Sequence, residues 1–215
     1  MSLGLGTGST ADCFLDALGE RVRAGLRVRG VPTSERTARR AHALGIALVT
    51  LNDCPRLDLA IDGADQVAPR GDLIKGLGGA LLREKRVARA AAELVIIVDD
   101  GKLVAKLGVG CPVPVEVRPD AVGAVSRAVR SLGGEPGLRA RNGVAFVTDN
   151  GNRIVDALFP SVEDPAGLER ALNRIPGVLD NGLFVGMTGR VLTAGPAGIR
   201  VLAARERGGE LQEVG

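Results

Sequence analysis

Leu57-Asp58-Leu59-Ala60-Ile61-Asp62-Gly63-Ala64-Asp65 runs from an apolar stretch straight into two carboxylates, and Lys75-Gly76-Leu77-Gly78-Gly79 and Glu84 follow it closely. Ionised groups at the end of a buried strand must be paired or solvated. Glycine costs backbone entropy unless a tight turn or a close ligand requires it. Local folding rules are broken here in a cluster, and such clusters tend to mark functional sites.

Working outward, the upstream chain opens with a short apolar stub at 3–5 and the loop Gly4-Leu5-Gly6-Thr7-Gly8-Ser9-Thr10. Ala11, Phe14, Leu15, Leu18 and Val22 then recur at helical spacing, with Ser9 or Thr10 expected as N-cap. A strand at 26–31, a helix at 34–44 capped by Ser34 and stopped by Gly45, and extended segments at 46–49 and 57–62 come next. A helix at about 79–93 leads into the fully apolar strand Leu94-Val95-Ile96-Ile97-Val98. Strands alternating with helices predict a doubly wound, mostly parallel α/β sheet.

Past residue 110 the pattern changes. Val113, Val115 and Val117 alternate with prolines, and a helix is expected at about 120–132. Strands are expected near 136–140, 144–148 and 153–158, with a turn at Asn150-Gly151. Asp164-Pro165 opens another helix, and a strand at 178–185 follows. That order predicts a smaller, inserted α+β domain of ferredoxin-like type at 110–189, leaving 1–109 and 190–215 as the larger one. Segment 190–204 reads as a strand returning to the first sheet, and polar Arg205–Gly215 as frayed.

Composition narrows the function. Hydrophobic residues make up 45%, yet the only aromatics are four Phe, so the core is aliphatic. Net charge is +3 with no concentrated basic stripe, which argues against a nucleic-acid partner. No apolar run reaches the roughly 18 residues of a membrane span, and no secretory signal is visible. Cys13, Cys54 and Cys111 are odd in number and far apart, which fits a reducing cytoplasm.

The first loop can cradle a phosphate, with Thr7, Ser9 and Thr10 adding hydroxyl donors, or it can be a plain strand–helix turn. It matches neither a P-loop nor a dinucleotide fingerprint. Asp62 and Asp65 flank a turn at a strand end, where open α/β sheets bind ligands. Paired Asp can hold Mg²⁺, but Lys75 supplies a cation instead, and so no metal is expected. The chain holds only four lysines against 24 arginines, which singles out Lys75 as a compact ammonium. Lys102 could also reach a phosphate, whereas Lys85 and Lys106 read as random choices and His42 as surface.

At these residues the chain resembles ribose-5-phosphate isomerase of the A type. The motifs are Gly6-Thr7-Gly8-Ser9-Thr10, Asp62-Gly63-Ala64-Asp65, Lys75-Gly76-Leu77-Gly78-Gly79-Ala80, Arg83-Glu84-Lys85, Lys102 and Thr148-Asp149-Asn150-Gly151-Asn152. The resemblance implies a Rossmann-like fold and interconversion of D-ribose 5-phosphate and D-ribulose 5-phosphate without a cofactor. It implies Glu84 as the base moving a proton between C2 and C1, and Asp62 in ring opening with Asp65 beside it. Lys75 stabilises the intermediate in that scheme. Thr7, Gly8, Ser9, Thr10, Gly63, Ala64, Gly76, Leu77, Gly78 and Lys102 are expected to hold the substrate. A cytoplasmic homodimer or homotetramer is implied too. The rival reading is a protein of the same fold that binds a sugar phosphate without turning it over. Two departures stand out. Met1 falls almost on the glycine loop, where the family carries a helix and most of a strand, so the start is truncated or the first strand abbreviated. Asp99-Asp100-Gly101-Lys102 replaces Asp-x-Ser-Lys and removes one hydroxyl.

Overall fold

The computed structural model describes residues 1–204 and 209–214. Its first half runs β1 (Ser2–Leu5), α1 (Ser9–Arg23), β2 (Arg29–Pro32), α2 (Glu35–Ala43), β3 (Ala47–Leu48) and β4 (Leu59–Asp62). Then come β5 (Gln66–Val67), β6 (Leu73–Ile74), α3 (Leu81–Ala90) and β7 (Leu94–Asp99). The second half holds β8 (Val113–Val117), α4 (Val122–Ser131), β9 (Glu135–Leu138), β10 (Ala140–Arg141), β11 (Val144–Ala145) and β12 (Arg153–Leu158). It continues with α5 (Pro165–Asn173), β13 (Val178–Asn181), β14 (Leu183–Phe184), β15 (Thr188–Gly195), β16 (Gly198–Ala204) and β17 (Leu211–Glu213).

The large sheet has the order β17-β16-β15-β7-β4-β1-β2-β3, parallel from β15 to β3. The chain moves outward from β1 to β3, then returns to place β4 on the other side of β1. That reversal opens a crevice at the C-terminal ends of β1 and β4, beside Gly6 and Asp62, where such sheets bind ligands. Leu3, Leu5, Leu15, Leu18, Ala41 and Ile61 fill one face under α1 and α2. On the opposite face, Val87 and Ala88 of α3 pack with Ala60, Leu94 and Ile96.

β8, α4, β9, β12, α5 and β13 form an antiparallel four-stranded sheet of order β13-β8-β12-β9 with two helices, the expected ferredoxin-like arrangement. A third sheet, β14-β6-β5, pairs Leu183 with Ile74 and so ties the chain after the small sheet to the strand before Lys75.

Several expectations change in detail. Gly8 is the N-cap of α1, and no side chain accepts from its first turn, so Ser9 and Thr10 are helical. Segment 178–185 divides into two strands serving different sheets, and 190–204 is a hairpin turning at Gly195-Pro196-Ala197-Gly198. The 144–148 strand ends at Ala145, because Thr148 to Asn152 form a turn. Leu211–Glu213 is not frayed: it pairs with β16, and the Leu211 N–H donates to the Pro69 carbonyl at 2.7 Å. The rest of that expectation falls largely on residues 205–208 and 215, outside the described residues. β1 spans four buried residues and is paired on both sides.

Candidate active site

Asp62 ends β4 with its carboxylate turned inward, and the backbone around it is shaped to accept that. Its Oδ1 takes N–H bonds from Thr7 (3.0 Å) and Gly63 (2.8 Å), so the β1 loop and the β4 turn share one anchor. A Cβ on Gly6 would lie 2.2 Å from Asp62 Oδ1, which makes glycine obligatory there. Oδ2 faces the Lys75 ammonium at 3.0 Å.

Lys75 follows β6, and its N–H donates to the Gly182 carbonyl at 2.9 Å. Its side chain is 3% exposed, and Nζ also donates to the Gly63 carbonyl at 2.6 Å and lies 3.5 Å from Glu84 Oε2. Burial pulls its pKa down, but Asp62 and then Glu84 outweigh that and hold Lys75 above the ordinary lysine value. The Phe184 ring lies 5.4 Å from the same ammonium.

Glu84 stands in the first turn of α3, facing inward at 4% exposure. Burial, opposed by Lys75 and reinforced by Asp62 and Asp65, raises its pKa from 4.5 to about 8. Its Oε2 is buried and faces the Lys75 ammonium at 3.5 Å. A buried carboxyl that titrates near neutrality suits a general base. Asp65 is likewise pushed up by burial, while its Oδ2 accepts the Leu77 N–H at 2.9 Å.

Thr7, Gly8, Ser9, Thr10, Gly63, Ala64, Asp65, Lys75, Gly76, Gly78, Glu84 and Lys102 line one cleft of about 130 Å³. A groove of about 670 Å³ beside Lys106 and Glu163 is roomier but gathers no comparable chemistry. Two sequence-predicted residues do not line the cleft. Asp62 lies behind Lys75, and Leu77 turns its side chain outward at 43% exposure, contributing only its backbone. Thr7 lines it, but its hydroxyl is engaged by Thr33, Ser34 and Thr37 at 2.7–3.0 Å rather than reserved for a ligand. Among the described residues no cluster of three or more His, Cys, Asp and Glu side chains suits a metal ion.

Sequence reasoning missed this hydroxyl cluster, Arg139 and the burial of Lys85. Ser34 was legible as a helix cap; nothing local marked the others. Lys85 is fully buried, with Asp180 and Glu169 each at 2.9 Å, so it is no random choice. The Thr148–Asn152 turn reaches the site at second hand: Glu116 Oε1 accepts from Thr148, Asn150 and Asn152, and Asn150 accepts from Arg83 beside Glu84. His42 is exposed, as expected.

Comparison with known proteins decides the family. Residues 29–198 match the family Ribose 5-phosphate isomerase A (phosphoriboisomerase A). The chain belongs to the ribose 5-phosphate isomerase A family. It is 57% identical to a protein named Ribose-5-phosphate isomerase A from Gloeobacter violaceus, over 94% of this chain and 88% of that one. A namesake from Thermomicrobium roseum is 52% identical, with 94% and 86% covered. The ribose 5-phosphate isomerase A structure from Methanocaldococcus jannaschii superposes with a TM-score of 0.91 at 43% identity, covering 94% of this chain and 91% of that one. A D-ribose-5-phosphate isomerase solved with phospho-erythronic acid gives 0.92 at 39%, covering 94% and 90%. The α/β fold read from the sequence is that of these isomerases.

Proposed function

We propose that the cleft interconverts D-ribose 5-phosphate and D-ribulose 5-phosphate through an enediolate intermediate. The observation that carries this is the buried Lys75 ammonium set 3.0 Å from Asp62 and 3.5 Å from Glu84 at one cleft. The relative that binds phospho-erythronic acid supports a small, doubly functional anion as guest.

In this reading the phosphate rests between the Gly6–Thr10 loop at the start of α1 and Lys102. Backbone N–H groups at a helix start and a lysine are natural partners for a phosphate dianion. Glu84 takes the proton from C2 and returns it to C1, which leaves two hydroxyl protons to manage. Asp65, which lines the cleft, carries those, whereas Asp62, assigned to ring opening by the resemblance, lies outside the cleft and instead holds the Lys75 ammonium in position. Lys75 stabilises charge developing on the carbonyl oxygen, a preorganised donor in a site sheltered from water. It occupies the place between carboxylates where a divalent ion would otherwise stand, so turnover should survive a chelator.

The enzyme's setting belongs to the same proposal: the cytoplasm, the non-oxidative pentose phosphate branch, and a homodimer or homotetramer. Residues 1–109 and 190–215 would form the catalytic domain and 110–189 the smaller one, although β14 pairs across that division. The deciding experiment is a coupled assay on ribose 5-phosphate with and without chelator, run beside Glu84→Gln. Turnover that falls by roughly 10²–10⁴ in the variant supports the reading. Calorimetric binding without turnover would mark a sugar-phosphate sensor instead.

A further inference from the structure

We propose that Arg139 is a positioning residue for this reaction, fixing the Gly76–Leu77 peptide so that the Leu77 N–H holds Asp65 at the cleft. Arg139 lies between β9 and β10, and its side chain crosses from the small sheet to the Lys75–Gly79 loop. Nε and NH2 pair with the two carboxylate oxygens of Asp156 on β12, the Nε bond at 2.9 Å. NH1 donates to the carbonyls of Gly76 (2.8 Å) and Leu77 (2.9 Å). The side chain is mostly buried.

The Gly76 carbonyl and the Leu77 N–H belong to one planar peptide unit and point in opposite directions. Arg139 holds the first, and Asp65 Oδ2 accepts from the second at 2.9 Å. Rotating that peptide breaks both bonds together. The restraint is needed because Gly76, Gly78 and Gly79 flank it, and glycines permit such rotation at little steric cost. Four donors of the fork are engaged at once, a geometry that the point charge of lysine cannot reproduce. Asp156 in turn fixes the plane of the guanidinium. The chain of contacts therefore runs from β12 through Arg139 and one peptide to a carboxylate in the cleft. Arg139 and Asp156 themselves do not line the cleft.

The inference rests on the isomerase reading of the cleft, and its test separates the two. Steady-state kinetics on ribose 5-phosphate would be measured for the wild type, Arg139→Met, Arg139→Lys and Asp156→Asn, with amide hydrogen exchange followed at Leu77 and at Val155 of β12. We expect Arg139→Met to lower kcat about 10–100-fold with KM within about threefold, as a small misplacement of reacting groups does. Leu77 exchange should accelerate at least tenfold while Val155 stays protected. Arg139→Lys should fail to restore kcat. Asp156→Asn, the milder change should Arg139→Met not fold, should show the same pattern at smaller amplitude. A folded Arg139→Met with kcat within twofold of wild type overturns the proposal, as does a kcat loss with Leu77 exchange unchanged. A wild type that binds but does not convert ribose 5-phosphate sinks the isomerase reading, while the exchange data still judge the clamp.

Discussion

Replacing Glu84 with glutamine should stabilise the protein at alkaline pH while removing its activity. Burial holds the Glu84 carboxyl at about 8 instead of 4.5. A group bound more tightly to its proton in the folded state supports folding fully below its unfolded pKa and loses that support as pH rises to the folded one. The wild type is therefore penalised progressively between about pH 4.5 and pH 8, and by a constant amount above. At about 1.4 kcal/mol per tenfold, the ceiling is about 5 kcal/mol. Glutamine carries no charge and escapes the penalty, and the attraction of Lys75, 3.5 Å away, is already included in the value near 8. The variant's advantage should therefore approach, and not exceed, about 5 kcal/mol at pH 9. Urea unfolding of both proteins at pH 5, 7 and 9 measures it. The variant's advantage should be small at pH 5 and largest at pH 9. A difference independent of pH, or a wild type that gains on the variant as pH rises, would refute the account of Glu84 as a desolvated acid. The same titration gives wild-type kcat/KM a limb that climbs toward about pH 8.

Three further outcomes follow from the geometry. Lys75→Met leaves Asp62 and Glu84 buried without their cation and should cost about 3–5 kcal/mol in urea unfolding, along with all measurable turnover. Lys102→Ala should raise KM for ribose 5-phosphate about tenfold or more with a smaller change in kcat, since Lys102 lines the cleft and is assigned the phosphate in this reading. Gly76→Ala forces a side chain onto a residue at φ 102°, with its Cβ 2.7 Å from Leu81 Cβ; it should destabilise by about 1–3 kcal/mol and depress kcat by shifting the start of α3, both read on the purified variant.

The alternation of helix and strand, the caps at Ser34 and Asp164 and the aliphatic runs were local signals, and the elements they imply are present. Errors came where one signal served two purposes. Segment 190–204 is apolar throughout, yet Gly195-Pro196-Ala197-Gly198 turns it back on itself. Lys85 was misread because a helix packed on one face leaves its charges in water. α3 is packed on the sheet by Val87 and also meets β13, so Asp180 receives the ammonium. Thr7 was assigned its hydroxyl from its place in a glycine loop, which says nothing of Thr33 and Thr37 behind it.

The residues proposed to bear the chemistry were legible in the sequence, because each stands out as a particular side chain at a particular turn: carboxylates closing β4, a lysine in an arginine-rich chain, glycines where a Cβ cannot fit. Their separations, the desolvation that sets Glu84 near 8, and the support from Arg139 were decided by tertiary structure alone. Those quantities depend on groups 9 to 63 residues apart meeting in a medium from which water is excluded, and no local pattern encodes a meeting of that kind.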